Sequence, residues 1–225
     1  MQKLNIIHEN NDYIVVNKQA GLISEKSPFE AITVESLLHK HLLEKKKKAY
    51  IGVIHRLDRV TSGVLLFAKK KGVLVRFNKL FSLREIQKTY LAVVKNKPKK
   101  DSATLTNYLI KNTLAKRADI NQSASKEAKE SILTYKVIAK NDLGYLLEVK
   151  PETGRFHQIR AQLAHIGLPI IGDEKYGSTS EYQNLSVCLH AWKLSYKSPD
   201  SAKIMCWKAP LPNNKFWDFE LDNSI

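Results

Sequence analysis

Cysteine is nearly missing from this chain: of 225 residues only Cys188 and Cys206 carry a thiol, and neither has paired Cys or His spacing around it. A disulfide framework and a structural zinc site are therefore set aside as organising devices. Acid is scarce as well. Against 37 Lys and Arg stand 22 Asp and Glu, a formal net charge of +15, and the simplest partner for such an excess is a polyanion: RNA, DNA, an anionic membrane or an acidic protein. Long apolar runs are also lacking. No run approaches the ~20 residues needed to span a bilayer, and Met1-Gln2-Lys3-Leu4-Asn5 has none of the apolar character of a signal peptide. A soluble, cytoplasmic protein without membrane contact is expected.

What is present suffices for a folded core. With 43% apolar residues, the chain can form one large domain or two lobes sharing a core. Asp12–Lys18 reads as a strand entering a turn at Gln19-Ala20-Gly21. Thr33 is placed to cap a helix carrying Val34, Leu37, Leu38 and Leu42, which runs out into Glu44 and Lys45–Lys48, either a solvated helix end or a nucleic-acid contact. Val73, Phe77, Leu80 and Phe81 mark one face of a second helix, and Gln87–Val94 returns to strand character. Residues 101–130 read as a polar excursion or hairpin arm rather than core. Ile132–Ile138 and Tyr145–Lys150 are strands about a hairpin turn at Asn141-Asp142-Leu143-Gly144. The pattern predicts an α+β fold with a mixed, mostly antiparallel sheet and flanking helices.

Two stretches are dense in chemistry. Ile54-His55-Arg56-Leu57-Asp58-Arg59-Val60-Thr61-Ser62-Gly63 places one carboxylate between two arginines. Glu152 to Arg160 reads Glu-Thr-Gly-Arg-Phe-His-Gln-Ile-Arg, and Phe156, Ile159, Leu163 and Ile166 predict a helical stripe stopped by Gly167 and Pro169. At roughly 100° per residue, Arg160 falls about 80° from the centre of that stripe, at the edge of the buried face. A half-buried guanidinium requires a partner, either a carboxylate such as Asp58 or backbone carbonyls.

Taken in order, His55-Arg56-Leu57-Asp58 with Thr61-Ser62-Gly63, then Lys88-Thr89-Tyr90, then Gly154–Arg160, resemble the RluA-type family of RNA pseudouridine synthases. Val15-Val16-Asn17-Lys18 with Ala20-Gly21, and Leu168–Asp173 with Tyr176-Gly177, add to the likeness, which covers about residues 5–210. The resemblance implies the pseudouridine synthase fold with its cleft across the sheet. It implies an enzyme that flips a uridine of ribosomal or transfer RNA, breaks the N1–C1′ bond and rejoins the sugar at C5. Asp58 would be the essential carboxylate, Tyr90 would stack on the target base, and Arg160 would pair with Asp58. Arg56 would brace the vacated stack or else serve as a second ion-pair partner for a nearby acid. His55 would hold its loop, and Arg59, Lys88 and Arg155 would either meet phosphate or be solvated surface residues.

The chemistry of these residue types agrees with those roles. A carboxylate stabilises or traps positive character at C1′, and a nearby arginine keeps it ionised. No step needs a cofactor or a metal, and no P-loop, dinucleotide fingerprint or ligand cluster is evident. Base flipping costs a few kcal/mol, which phosphate contacts offset. Departures from the family pattern are Gln19, Phe156 and Gln162, which bear on substrate preference. With Ile6–Val16 already in the catalytic unit, a single catalytic domain over 1–225 is expected, a monomer without an accessory RNA-binding domain, using RNA and not DNA. Lys-rich segments 95–100 and 111–117 would share in recognition. Two alternatives remain: a non-catalytic RNA-binding or assembly protein, and an RNA phosphodiesterase using His55 and His157.

Overall fold

The computed structural model describes residues 4–45, 49–198 and 203–220. Of the lysine run, Lys46, Lys47 and Lys48 lie outside the described residues. The order of elements begins β1 (Ile6–Glu9), β2 (Tyr13–Lys18), α1 (Val34–Lys45), β3 (Gly52–Val53), β4 (Ser62–Ala68), α2 (Lys71–Ser82) and β5 (Ile86–Val94). It continues with β6 (Ser102–Asn112), β7 (Arg117–Asn121), β8 (Lys129–Asn141), β9 (Gly144–Pro151), α3 (Gln158–His165), β10 (Leu189–Lys197) and β11 (Ile204–Lys208). The chain forms two compact units, one of Met1–Gln87 with Ala191–Pro210, the other of Lys88–His190 with Leu211–Ile225.

In the first unit the strands run β1-β2-β4-β10, with β11 on β10 and β3 on β4. Tyr13, Val15 and Asn17 point to one face of β2, while Ile14, Val16 and Lys18 share the other, because side chains alternate along a strand. Below the first face lies an aromatic core: Tyr13 meets Phe77 and Trp207 edge-on, and Tyr196 stacks on Trp207. Phe77 is delivered by α2, whose buried Val73, Phe77 and Leu80 follow the predicted helical spacing. Thr33 caps α1 reciprocally, its Oγ1 accepting from Ser36 N–H while Ser36 Oγ accepts from Thr33 N–H. Gly63, at φ +116°, lets β4 start where a Cβ would collide with the Ala191 backbone.

In the second unit the strands run β5-β9-β8-β6-β7, and every pair is antiparallel. The predicted hairpin turn is present: Asn141 Oδ1 accepts from Leu143 and Gly144 N–H. The segment 101–130 is a hairpin, as read, yet it belongs to the sheet, since β6 pairs with β8 from Ser102 to Leu109. Leu109 and Ala118 of that hairpin pack on Ala161 of α3.

This docking revises the predicted stripe, of which Ile159 and Leu163 are buried as expected. The left-handed backbone of His157 (φ 50°) separates Phe156 from α3, so Phe156 falls outside the helical phase. The helix is then buried all round from Gln158 to Leu163. Arg160, expected at an edge, is only 4% exposed.

Candidate active site

In the first unit His55, Arg56, Asp58 and Arg59 share the irregular segment between β3 and β4. Backbone contacts hold that segment. Ser24 Oγ donates to Leu57 O and accepts from Leu57 N–H, and Asp58 O accepts from Thr61 N–H in a tight turn. Lys18, at 1% exposure, points its ammonium at three carbonyls: Gln19 O at 3.0 Å, Leu22 O at 2.7 Å and Arg59 O at 3.1 Å. Those three acceptors match the three donors of an ammonium, which is how a buried lysine is tolerated. Burial pushes Lys18 down to about 7, while the half-buried Asp58 carboxylate acts against that shift by favouring the charged amine. Around this core, His55 Nε2 accepts from Leu66 N–H at 3.2 Å and its ring lies against Phe81. Arg56 is exposed and bonds Glu25, and Arg59 pairs with Glu30.

In the second unit Lys88 and Tyr90 lie on β5, where Tyr90 faces Val149 across the ladder to β9. Lys88 Nζ donates to Thr153 O at 3.2 Å, tying β5 to the segment that leads into α3. Gln158 braces the same segment, accepting from Thr153 Oγ1 and Arg155 N–H and donating to Ile132 O. Arg155 is exposed, with Nε on Glu130 O.

Arg160 is gripped at two points by Asp173, Nε to Oδ2 at 2.7 Å and Nη2 to Oδ1 at 2.8 Å, in the fork geometry a carboxylate favours. Its Nη1 lies 2.9 Å from His157 Nε2. A guanidinium only donates, so Nε2 accepts and the imidazole proton sits on Nδ1, 3.0 Å from the Tyr176 hydroxyl. That hydroxyl also accepts from Ala118 N–H at 2.7 Å, and the Arg160 guanidinium lies over the Tyr176 ring. Burial, then the Arg160 charge, hold His157 down to about 3. A neutral ring with both nitrogens engaged does not serve as an acid for RNA hydrolysis at neutral pH, so the two-histidine phosphodiesterase loses His157 as its acid.

Residues 12–165 match the family model described as RNA pseudouridylate synthase. The chain belongs to that family. Over 99% of this chain and 98% of its own length, "tRNA pseudouridine synthase C" of Vibrio parahaemolyticus is 30% identical. "Ribosomal large subunit pseudouridine synthase C" of Yersinia pestis is 31% identical over 92% of this chain and 66% of its own length. A solved human structure, RNA Pseudouridylate Synthase Domain Containing 1, superposes with a TM-score of 0.79 over 97% of this chain and 89% of that one, at 24% identity, and so shares the fold.

As an RNA pseudouridine synthase the protein is an isomerase, and its α+β fold is that of pseudouridine synthase domains. Among the described residues no helix is long and apolar enough to cross a membrane. The sequence reading assigned no role to Lys18, Asp173, His157 in its neutral form, or Gln158. Two had a signal. Lys18 continues the buried face of Ile14 and Val16 at period two. Asp173 follows Ile170 and Ile171 just past the helix stop, where the returning chain comes alongside α3. Gln162 proves fully buried, its Nε2 lying within 3.2 Å of Leu105 O, Asn107 Oδ1 and Ser131 O, which share its two amide protons, and this ties α3 to β6 and β8.

Proposed function

We propose that this synthase isomerises uridine in structured RNA with Asp58 as its reacting carboxylate. The observation that supports it is the Asp58 turn, whose backbone is tied to the segment 18–24 by the buried Lys18 ammonium at Arg59 O and by the two Ser24–Leu57 bonds. Orientation of that kind is what a nucleophile or ion-stabilising carboxylate requires at C1′. Tyr90 stacks on the flipped base, and Arg160, which the resemblance pairs with Asp58, also holds Asp173 and His157. His55 keeps the loop in place. Arg56, in an exposed ion pair of small worth with Glu25, is available to brace the vacated stack, while Arg59, Lys88 and Arg155 contact phosphate.

The units act as one catalytic domain, since the family match runs through both. The substrate is transfer RNA in the first instance, because the Vibrio relative is covered along nearly its whole length and is named for tRNA. Ribosomal RNA is the second choice, supported by the Yersinia relative. The enzyme works as a cytoplasmic monomer on RNA rather than DNA.

Purified protein incubated with transfer-RNA and ribosomal-RNA transcripts should yield a mass-silent isomer that carbodiimide labels, with strand length unchanged. Asp58→Asn should abolish the isomer and leave RNA binding within a few-fold. Turnover retained in Asp58→Asn would remove Asp58 from this role, and RNA binding without any isomer would favour the non-catalytic module.

A further inference from the structure

We infer that Phe156 and Lys111 form a nucleotide clamp, in which an unpaired base of the RNA stacks on the Phe156 ring and Lys111 takes the adjoining phosphate. This rests on the synthase reading, which supplies RNA as the ligand. Phe156 is 39% exposed, too open to be explained by core burial, although its neighbours on α3 are sealed. Its ring stacks on the His157 imidazole, with centroids 3.8 Å apart and planes within 21°. His157 is itself locked by Arg160, Tyr176 and its left-handed backbone, so the exposed ring is held in a defined plane. A preorganised aromatic face loses little rotamer freedom when a base lands on it.

The surroundings have the matching charge. Lys111 Nζ lies 5.2 Å from the Phe156 centroid, near the tip of the β6–β7 hairpin, and its flexible stem lets it yield the ring to a base while staying beside it. Arg155 is exposed next in sequence, and exposed Lys175 reaches the same hairpin tip through Ala115 O at 3.3 Å. Stacking on an aromatic ring tolerates any base, so this clamp gives affinity and register, with sequence choice left to other contacts.

The reporter variant is Phe156→Trp, because Trp192, Trp207 and Trp217 are all buried and an indole at 156 would be the accessible one. Titration with a single-stranded oligouridine and with the transfer-RNA transcript should quench its emission and shield it from iodide. Phe156→Leu, apolar but without a ring, should raise KM for the RNA about tenfold, a loss that falls on KM more than on kcat. Lys111→Gln should lower the salt slope of binding by about one. Emission unchanged while filter retention shows the RNA bound, or a wild-type KM in Phe156→Leu, overturns the clamp. Wild-type protein that forms no pseudouridine would count against the synthase reading instead, and quenching is read independently of turnover.

Discussion

At the end of β2, beside the Asp58 loop, a buried cation is satisfied by backbone carbonyls, whereas around Arg160 a buried cation is satisfied by side chains. The difference follows from the two charges. A lysine ammonium is a compact donor of three bonds that suits a nest of carbonyls at a chain reversal, while a planar guanidinium suits a carboxylate fork on one edge and a ring nitrogen on another. The first arrangement fixes a backbone reversal, the turn after β2, and ties it to the loop bearing Asp58. The second fixes a guanidinium, and through it the tautomer of His157. Substitutions should therefore act differently in the two regions, by stability and electrostatics around Arg160 and by loop geometry around Lys18.

The largest effect should come from Asp173→Asn. The amide keeps the shape but turns one of two acceptors into a donor facing a donor, so a buried ion pair is broken from one side. Such breaks cost ~3–5 kcal/mol. Urea unfolding should show that loss, accompanied by reduced isomerisation. A variant within 1 kcal/mol of wild type would mean that this carboxylate does not anchor Arg160.

Lys18→Met should cost less, about 1–3 kcal/mol at neutral pH, because carbonyls lose a donor while a desolvated charge is removed with it. Its signature is in pH. With the folded amine pushed down to about 7 from 10.5, the unfolded chain binds more protons between those values, so wild-type stability rises with pH across that window. Each unit of pKa lowering is worth ~1.4 kcal/mol. Lys18→Met should lose that rise, and isomerisation should fall as the Asp58 turn loosens. Stability curves of equal slope for the two proteins from pH 7 to 10.5 would show that Lys18 stays charged throughout.

Legibility differed between the same two regions. The strand Tyr13–Lys18, the α2 face and the Asn141–Gly144 turn were readable because each is decided by neighbours within a few residues: period, cap and turn chemistry. The α3 stripe was misjudged because two things outside that range intervene, a left-handed residue at its start and a hairpin docked on its polar side. The same holds for the charged groups. His55-Arg56-Leu57-Asp58 and Gly154–Arg160 stood out as dense clusters, yet the carboxylate gripping Arg160 lies thirteen residues on, past a reversal that no periodicity encodes. Gln162 shows the converse. Singled out as bearing on specificity, it is enclosed by three acceptors from β6 and β8, a fact only the tertiary packing discloses.

The smallest effect at neutral pH should be that of His157→Asn, and it separates the two modes of fixing charge most cleanly. Asparagine adopts the left-handed backbone more readily than most residues, so the helix start survives. The ring is neutral in the fold and its pKa is held to about 3 against 6.5 when unfolded. Unfolding therefore takes up a proton below pH 6.5, and the stabilisation that is full above that value is lost as pH falls toward 3. Replacing the ring should flatten this part of the acid limb while leaving the Lys18 window between pH 7 and 10.5 unchanged. Thermal melts from pH 3 to 10.5 on wild type and both variants would read the two limbs separately. An acid limb unaltered in His157→Asn would mean that the imidazole takes up its proton as readily in the fold as in the unfolded chain, and that the 2.9 Å Arg160 contact does not hold it neutral.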